Sequence, residues 1–188
     1  MTHSVEVDRR NLLQQIQERA IVHGRVTLSS GKEADWYLDL RRITLSGLTA
    51  PMVGRVMLDL TRDLAYDAVG GLTMGADPVA TAMLHAAAAD DDSRALDAFV
   101  VRKQGKSHGL QQRVEGPSIQ GRRVLIVEDT STTGGSALDA VTAAREAGAE
   151  VVAVAVIADR ATGAAERIQA DGGVPYLWAY GPSDLGIS

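Results

Sequence analysis

Between Ala65 and Ile157 the chain alternates short apolar runs with stretches of helical spacing, and this alternation restricts the fold more than any other feature. The firmest run, Val151 to Ile157, is wholly β-branched or Ala, as a strand buried on both faces requires. Further strands are predicted over Ala65 to Gly71, Leu96 to Arg102 and Arg122 to Val127, with an edge strand over Val174 to Tyr180 and Trp178 packed under the sheet edge. Helices fall between them: Pro78 to Ala89, with Asp77 as N-cap, and Ser136 to Ala147, stopped by Gly148. Strands and helices in this order build an α/β fold, a central and mostly parallel sheet flanked by helices. Ligands of such open sheets sit beyond the carboxyl ends of the strands, so the loops after Val69, Arg102, Val127 and Ile157 are the places to search.

The first 45 residues read differently. Leu12, Leu13, Ile16 and Ala20 predict an amphipathic helix over Asn11 to Val22, and Gly24 to Arg42 alternates irregularly around a Ser29-Ser30-Gly31 turn, suggesting a small antiparallel flap. Leu48 to Leu64 returns to helical spacing. With no internal repeat or linker, residues 1–188 form one domain, a hood over 1–45 and a core over 46–188. Aromatics are only 4%, so Ala, Val, Leu and Ile must fill the core.

Composition excludes several functions. A net charge of -5 argues against a nucleic-acid partner, and the lack of cysteine rules out disulfides, thiolate metal sites and a cysteine nucleophile. The polar start lacks the apolar core of a secretory signal. The longest apolar run, Val151 to Ala158, is far short of the roughly 20 residues that span a bilayer. A cytoplasmic enzyme with no membrane partner is expected.

The chemistry concentrates in Val124 to Ser136, VLIVEDTSTTGGS. Glu128 and Asp129 follow an apolar strand, and Thr130 to Gly135 contains only hydroxyl residues and glycines ahead of a helix. Hydroxyls, bare backbone N–H groups and a helix N-terminus suit a phosphate monoester, and Gly134 and Gly135 let the main chain approach it closely. The acidic pair would repel phosphate, so it must face sugar hydroxyls or a phosphate-bound Mg²⁺. A P-loop would need Lys after its last glycine, where Ser136 stands, and no G-x-G-x-x-G occurs here. The residues alone leave open a plain solvated strand-to-helix turn.

Two further groups stand out. Arg102, Lys103, Lys106, His108 and Arg113 gather without an intervening acid in an otherwise acidic protein, with Gly105 and Gly109 among them. Such donors stabilise a charge-dense leaving group, and the glycines suit a closing flap, although basic loops are also common on surfaces. Arg160, after the fourth predicted strand, can bind a planar carboxylate bidentately or pair with Asp159 or Glu166.

Val124 to Ser136 resembles the 5-phosphoribosyl 1-pyrophosphate (PRPP) signature of the type I phosphoribosyltransferases. The run Arg102-Lys103-Gln104-Gly105-Lys106-Ser107-His108-Gly109 resembles the catalytic loop of their orotate-specific members. The resemblance implies the type I fold with an N-terminal hood, and transfer of phosphoribosyl from PRPP to orotate in pyrimidine biosynthesis. It assigns PRPP to Glu128, Asp129, Thr130, Ser131, Thr132, Thr133, Gly134, Gly135 and Ser136, and catalysis to Arg102, Lys103, Lys106 and His108, which also bind PRPP. Thr132 and Arg160 would bind orotate. Mg²⁺ would be held mainly by PRPP, through water to Glu128 and Asp129, with no direct protein ligand. A homodimer is implied, with Lys103 acting in the neighbouring subunit. The chain departs from the better-known enteric enzymes at Ser29, where they carry Lys, and at Met74-Gly75, where they carry Tyr-Lys. Transfer to another base, or a PRPP-sensing regulator of the same fold, are the rival readings. The first 45 residues hold too little for a DNA-binding domain.

Overall fold

In the computed structural model, residues 4–27, 33–89, 95–103 and 113–187 are described. Helix α1 (Val5–Arg19) buries Leu12 and Ile16, and its start lies six residues earlier than the apolar spacing predicts. The cause is Asp8, which is buried yet polar and accepts two hydrogen bonds from Arg55 at 2.6 and 3.0 Å. Such a buried bidentate pair costs desolvation and holds only with good geometry on both oxygens. The helix ends before Ile21 because Ile21 and Val22 pair with Leu38 and Tyr37 in an antiparallel hairpin, β1 (Ile21–Thr27) with β2 (Glu33–Leu38). The Ser29-Ser30-Gly31 turn expected between them lies outside the described residues.

Next come the short helix α2 (Arg41–Thr44) and α3 (Ala50–Leu60). The core alternates from there: β3 (Ala68–Leu72), α4 (Ala76–Ala88), β4 (Asp97–Val101), β5 (Val114–Glu115), β6 (Arg123–Ser131), α5 (Gly135–Glu146) and β7 (Glu150–Asp159). The short α6 (Ala164–Arg167), a π-helical turn over Ile168–Gly172, β8 (Tyr176–Tyr180) and α7 (Pro182–Leu185) complete it.

The six-stranded sheet has the order β5-β4-β3-β6-β7-β8, parallel throughout except for β5. Side chains alternate between its faces. Val69, Leu125, Val127, Ala155 and Ile157 pack with α1, α3 and α4, whereas Val124, Ile126, Val154 and Val156 pack with α5 and Ile168. Strand β7 is buried along nearly all its length, as its composition predicts. The hood belongs to the first of these clusters through Leu12, Ile16 and Ala20. It is tied to the far end of the chain by Tyr180, whose hydroxyl donates to the Arg9 carbonyl at 2.7 Å.

Three predicted details change. Strand β6 continues four residues past Val127, because Thr130 and Ser131 still pair with Ala158 and Asp159 of β7. Asp77 is not an N-cap: α4 begins at Ala76, and the Asp77 carboxylate accepts the Thr73 hydroxyl at 2.5 Å. Trp178 is 44% exposed and leans on Tyr176 at 5.7 Å between ring centroids.

Chain order and sheet order disagree at one place. From β3 the chain moves outward to β4 and β5, then returns to lay β6 on the other side of β3. The helices leaving β3 and β6 therefore depart to opposite faces, and a crevice opens between the two carboxyl ends.

Candidate functional site

The crevice is floored by Glu128 and Asp129, which lie within the last turns of paired β6 and not in a loop. Glu128 is 7% exposed. Its Oε1 accepts from the Asp129 amide at 3.4 Å, and Asp129 Oδ1 accepts from the Thr130 amide at 2.7 Å. Across the crevice, Gly75 presses against both carboxylates: a Cβ there would overlap Glu128 Oε1 and stand 2.9 Å from Asp129 Oδ1. A side chain there would meet the ends of these two carboxylates, which would have to shift to make room. Burial, together with the charges of Asp129 and Asp77, pushes the Glu128 carboxyl up to about 8. Burial raises Asp129 as well, while the Thr130 amide and the Arg41 charge work in the opposite direction.

Beyond the acidic pair, Thr130 to Gly134 turns the chain into α5. Gly134 adopts φ 73°, a left-handed geometry that seats it as the helix N-cap against Ile168. The turn is braced from the segment after β7. Arg160 donates its amide to the Ser131 carbonyl at 3.1 Å, Thr162 its hydroxyl to the Thr132 carbonyl at 2.6 Å, and Arg167 to the Thr133 carbonyl at 3.3 Å. With those carbonyls engaged, the amides and hydroxyls of Thr132 and Thr133 are left at an exposed surface before a helix N-terminus. Ser131 is turned inward: it is 4% exposed and shares a hydrogen bond with the Tyr176 hydroxyl.

The loop after β3 forms the opposite wall. The Thr73 amide donates to the Val101 carbonyl at 2.9 Å, the Thr73–Met74 peptide is cis, and Met74 is exposed. Among the described residues, Asp77 Oδ1 is buried beside this loop without a hydrogen-bond partner.

A cavity of about 320 Å³ joins these parts. Glu128, Asp129, Thr130 and Ser136 line it from β6 and α5, Thr73 to Gly75 from the first loop, and Lys103 from the end of β4. Asp39 and Arg41 close it from the hood. Five sequence-chosen residues therefore meet in one place: Lys103, Glu128, Asp129, Thr130 and Ser136. Arg102 lies outside its lining, ion-paired to Glu115 at 3.4 Å. Lys106 and His108 fall outside the described residues. Arg41 carried no chemical role in the sequence reading, because only folding brings the hood over the acidic pair. A larger cleft, about 640 Å³, lies between residues 113–120 and the end of α5. Of the basic run only Arg113 lines it, and its size alone assigns it no chemistry.

Arg160 occupies a neighbouring position. Its guanidinium carbon lies over the Trp36 ring, 4.7 Å from its centre, a cation–π contact with the hood. Among the described residues it makes no ion pair with Asp159 or Glu166. Asp159 instead accepts from the Tyr176 hydroxyl at 3.1 Å. A guanidinium that makes no ion pair among the described residues is suited to a planar carboxylate.

Residues 53–178 match the phosphoribosyl transferase domain model. The chain is 72% identical over 179 residues to the orotate phosphoribosyltransferase of Streptomyces coelicolor, covering 95% of this chain and 97% of that protein. It is 55% identical over 188 residues to that of Corynebacterium glutamicum strain R, covering 100% and 99%. Its structure is similar to crystal structures of Mycobacterium tuberculosis orotate phosphoribosyltransferase. That bound to Fe(III) dicitrate has a TM-score of 0.86 at 55% identity, and that bound to PRPP 0.82 at 50%, each covering 96% of this chain and 99% of the other.

The acidic pair makes stability depend on pH with a definite sign. With the Glu128 carboxyl raised from 4.5 to about 8, the native state keeps a proton that the unfolded chain releases above 4.5. The contribution of this carboxyl to stability is therefore full below pH 4.5 and declines as pH rises towards 8. Thermal unfolding of the ligand-free protein between pH 5 and 8 is expected to show this decline and Glu128→Gln to flatten it. Parallel curves for the two proteins would show that Glu128 ionises freely.

Proposed function

The chain belongs to the phosphoribosyltransferase family, among its orotate phosphoribosyltransferases, and from that premise we propose how its own residues divide the reaction. The enzyme transfers the 5-phosphoribosyl group of PRPP to orotate in pyrimidine biosynthesis. A bond forms between orotate N1 and the anomeric carbon while the bond from that carbon to the pyrophosphate oxygen breaks. Pyrophosphate leaves with the electron pair, orotidine 5'-monophosphate remains, and the N1 proton is released. Positive charge builds on the ribose ring as the leaving group departs, as in glycosyl transfer generally.

The cavity that joins Lys103, the loop after β3 and the acidic pair supports this division most strongly. Thr130 to Ser136 and the N-terminus of α5 would hold the 5'-phosphate. Glu128 and Asp129, set just before that turn, would accept hydrogen bonds from the ribose hydroxyls. The loop after β3 and the cations Arg102, Lys103, Lys106 and His108 would hold the pyrophosphate and stabilise the charge it gains. Arg160, its guanidinium over Trp36, would take the orotate carboxylate, with Thr132 beside it.

Mg²⁺ would arrive bound to PRPP, offsetting its charge, with Glu128 and Asp129 touching the ion through water. An acidic pair that holds a proton when empty suits this, since a cation or sugar hydroxyls would replace the proton. Arg41 and Asp39 shape the hood side of the same cavity. The active form would be a homodimer in which Lys103 serves the partner's site, although within one chain it also borders its own cavity. Among the described residues no helix is long and apolar enough to cross a membrane, and a cytoplasmic location fits the substrates.

A parallel assay with orotate, uracil, hypoxanthine and adenine tests the reading. Loss of orotate absorbance only when PRPP and Mg²⁺ are both present is expected; turnover of uracil or a purine in its place would refute it. Arg160→Ala is expected to raise the orotate KM by roughly 10- to 150-fold, the worth of a charge-assisted bidentate contact, and to leave the PRPP KM within about twofold. Equal losses for both substrates would remove Arg160 from the orotate site. Mixing inactive Lys103→Ala and Asp129→Asn proteins is expected to restore roughly a quarter of wild-type turnover by forming hybrid dimers. No recovery, with subunit exchange verified, would place Lys103 in its own subunit's site.

A further inference from the structure

Arg113 is the one member of the basic run that the proposed reaction leaves without a task, and its surroundings differ from those of a free cation. Its Nη1 and Nη2 donate to the two carboxylate oxygens of Asp139 at 2.9 and 2.7 Å, a fork-to-fork pair. Its Nε donates to the Arg102 carbonyl at 3.1 Å, and the Arg102 amide donates back to the Arg113 carbonyl at 2.8 Å. The guanidinium therefore spends its donors on two elements that share no direct sheet pairing. One is the peptide that joins Arg102 to Lys103 at the end of β4. The other is α5, entered just beyond Ser136.

The end of β4 reaches the 320 Å³ cavity at Lys103, and the start of α5 reaches it at Ser136. A tie between β4 and α5 sets the width of that cavity without touching what fills it. Width matters most for a ligand that contacts both walls at once. Such a ligand gains from fixed spacing in the way two linked binding groups gain from a matched span, whereas a ligand on one wall gains nothing.

We propose that Arg113, through Asp139, is a positioning residue for PRPP: it fixes the distance between the end of β4, where Arg102 holds pyrophosphate in its own subunit, and the phosphate-holding start of α5. The inference rests on the assignment of PRPP to this cavity. Arg113 makes no contact with substrate in this role. Its guanidinium geometry is essential, because Lys carries the charge but cannot bridge a carboxylate and a carbonyl in one plane.

The test compares three ligands that sample one wall, the other, or both. Inorganic pyrophosphate, ribose 5-phosphate and PRPP are titrated calorimetrically into the wild-type protein, Arg113→Lys, Asp139→Asn and the double variant. Arg113→Lys and Asp139→Asn are each expected to weaken PRPP roughly 10- to 100-fold, with the single-wall ligands within about twofold. The double variant is expected to be no weaker than the worse single variant, since both act through one link. Equal weakening of all three ligands, or a fall in thermal stability that accounts for the loss, would reduce Arg113 to a structural ion pair and overturn the proposal. Unchanged PRPP binding would overturn it too. Failure of the wild-type protein to bind PRPP would instead refute the assignment of the cavity, before any variant is compared.

Discussion

The close approach of Gly75 to the carboxylates of Glu128 and Asp129 holds the site together. It exists because β6 returns to the flank of β3 after the chain has already built β4 and β5. Two strand ends thus open side by side, and their outgoing helices leave to opposite faces. A side chain at position 75 would meet the Glu128 and Asp129 carboxylates, which would have to move out of its way. The bracing of the Thr130–Gly134 turn by Arg160, Thr162 and Arg167 has the same logic from the other side. Backbone carbonyls are satisfied within the protein, so amides and hydroxyls remain for a ligand.

Electrostatics at this junction run against the sequence-wide sign in a structured way. The chain is acidic overall, and of its two most informative carboxylates Glu128 is buried and Asp129 half-buried, with a third, Asp77, nearby. Without ligand the pair answers by keeping a proton. Around it stand Arg41 from the hood and Lys103 from β4, with Arg160 held off to one side on Trp36. Acid at the floor and base at the walls fit a substrate with hydroxyls in its middle and anionic groups at its ends. Little proton transfer is asked of the protein, whose work is to position the substrate and stabilise departing charge.

Much of this was legible in the residues. The buried β7, helix α5 and the hydroxyl-rich turn before it carry strong local signals: β-branched runs, a Gly stop, and a composition no ordinary turn requires. What local pattern could not show arises from tertiary pairing. β6 runs on to Ser131 because β7 offers partners as far as Asp159, which no periodicity in β6 records. Helix α1 starts early because Arg55 rescues a buried Asp8. Asp77 looked like a cap in sequence, but Thr73 claims its carboxylate. Arg113 looked like one more donor to pyrophosphate until Asp139, 26 residues away, engaged both of its terminal nitrogens. Arg41 followed an irregular stretch whose placement over the acidic pair depends on the hood docking onto the core.

The account stands on one spatial claim: PRPP lies along β6, its 5'-phosphate on the Thr130–Ser136 turn and its ribose hydroxyls on Glu128 and Asp129. A crystal structure of the protein with PRPP and Mg²⁺ tests it most directly. The account predicts phosphate oxygens within hydrogen-bond distance of the amides and hydroxyls of that turn, and both carboxylates facing the 2'- and 3'-hydroxyls. PRPP bound with its 5'-phosphate in the cleft between residues 113–120 and the end of α5, or reversed so that pyrophosphate occupies the turn, would contradict it.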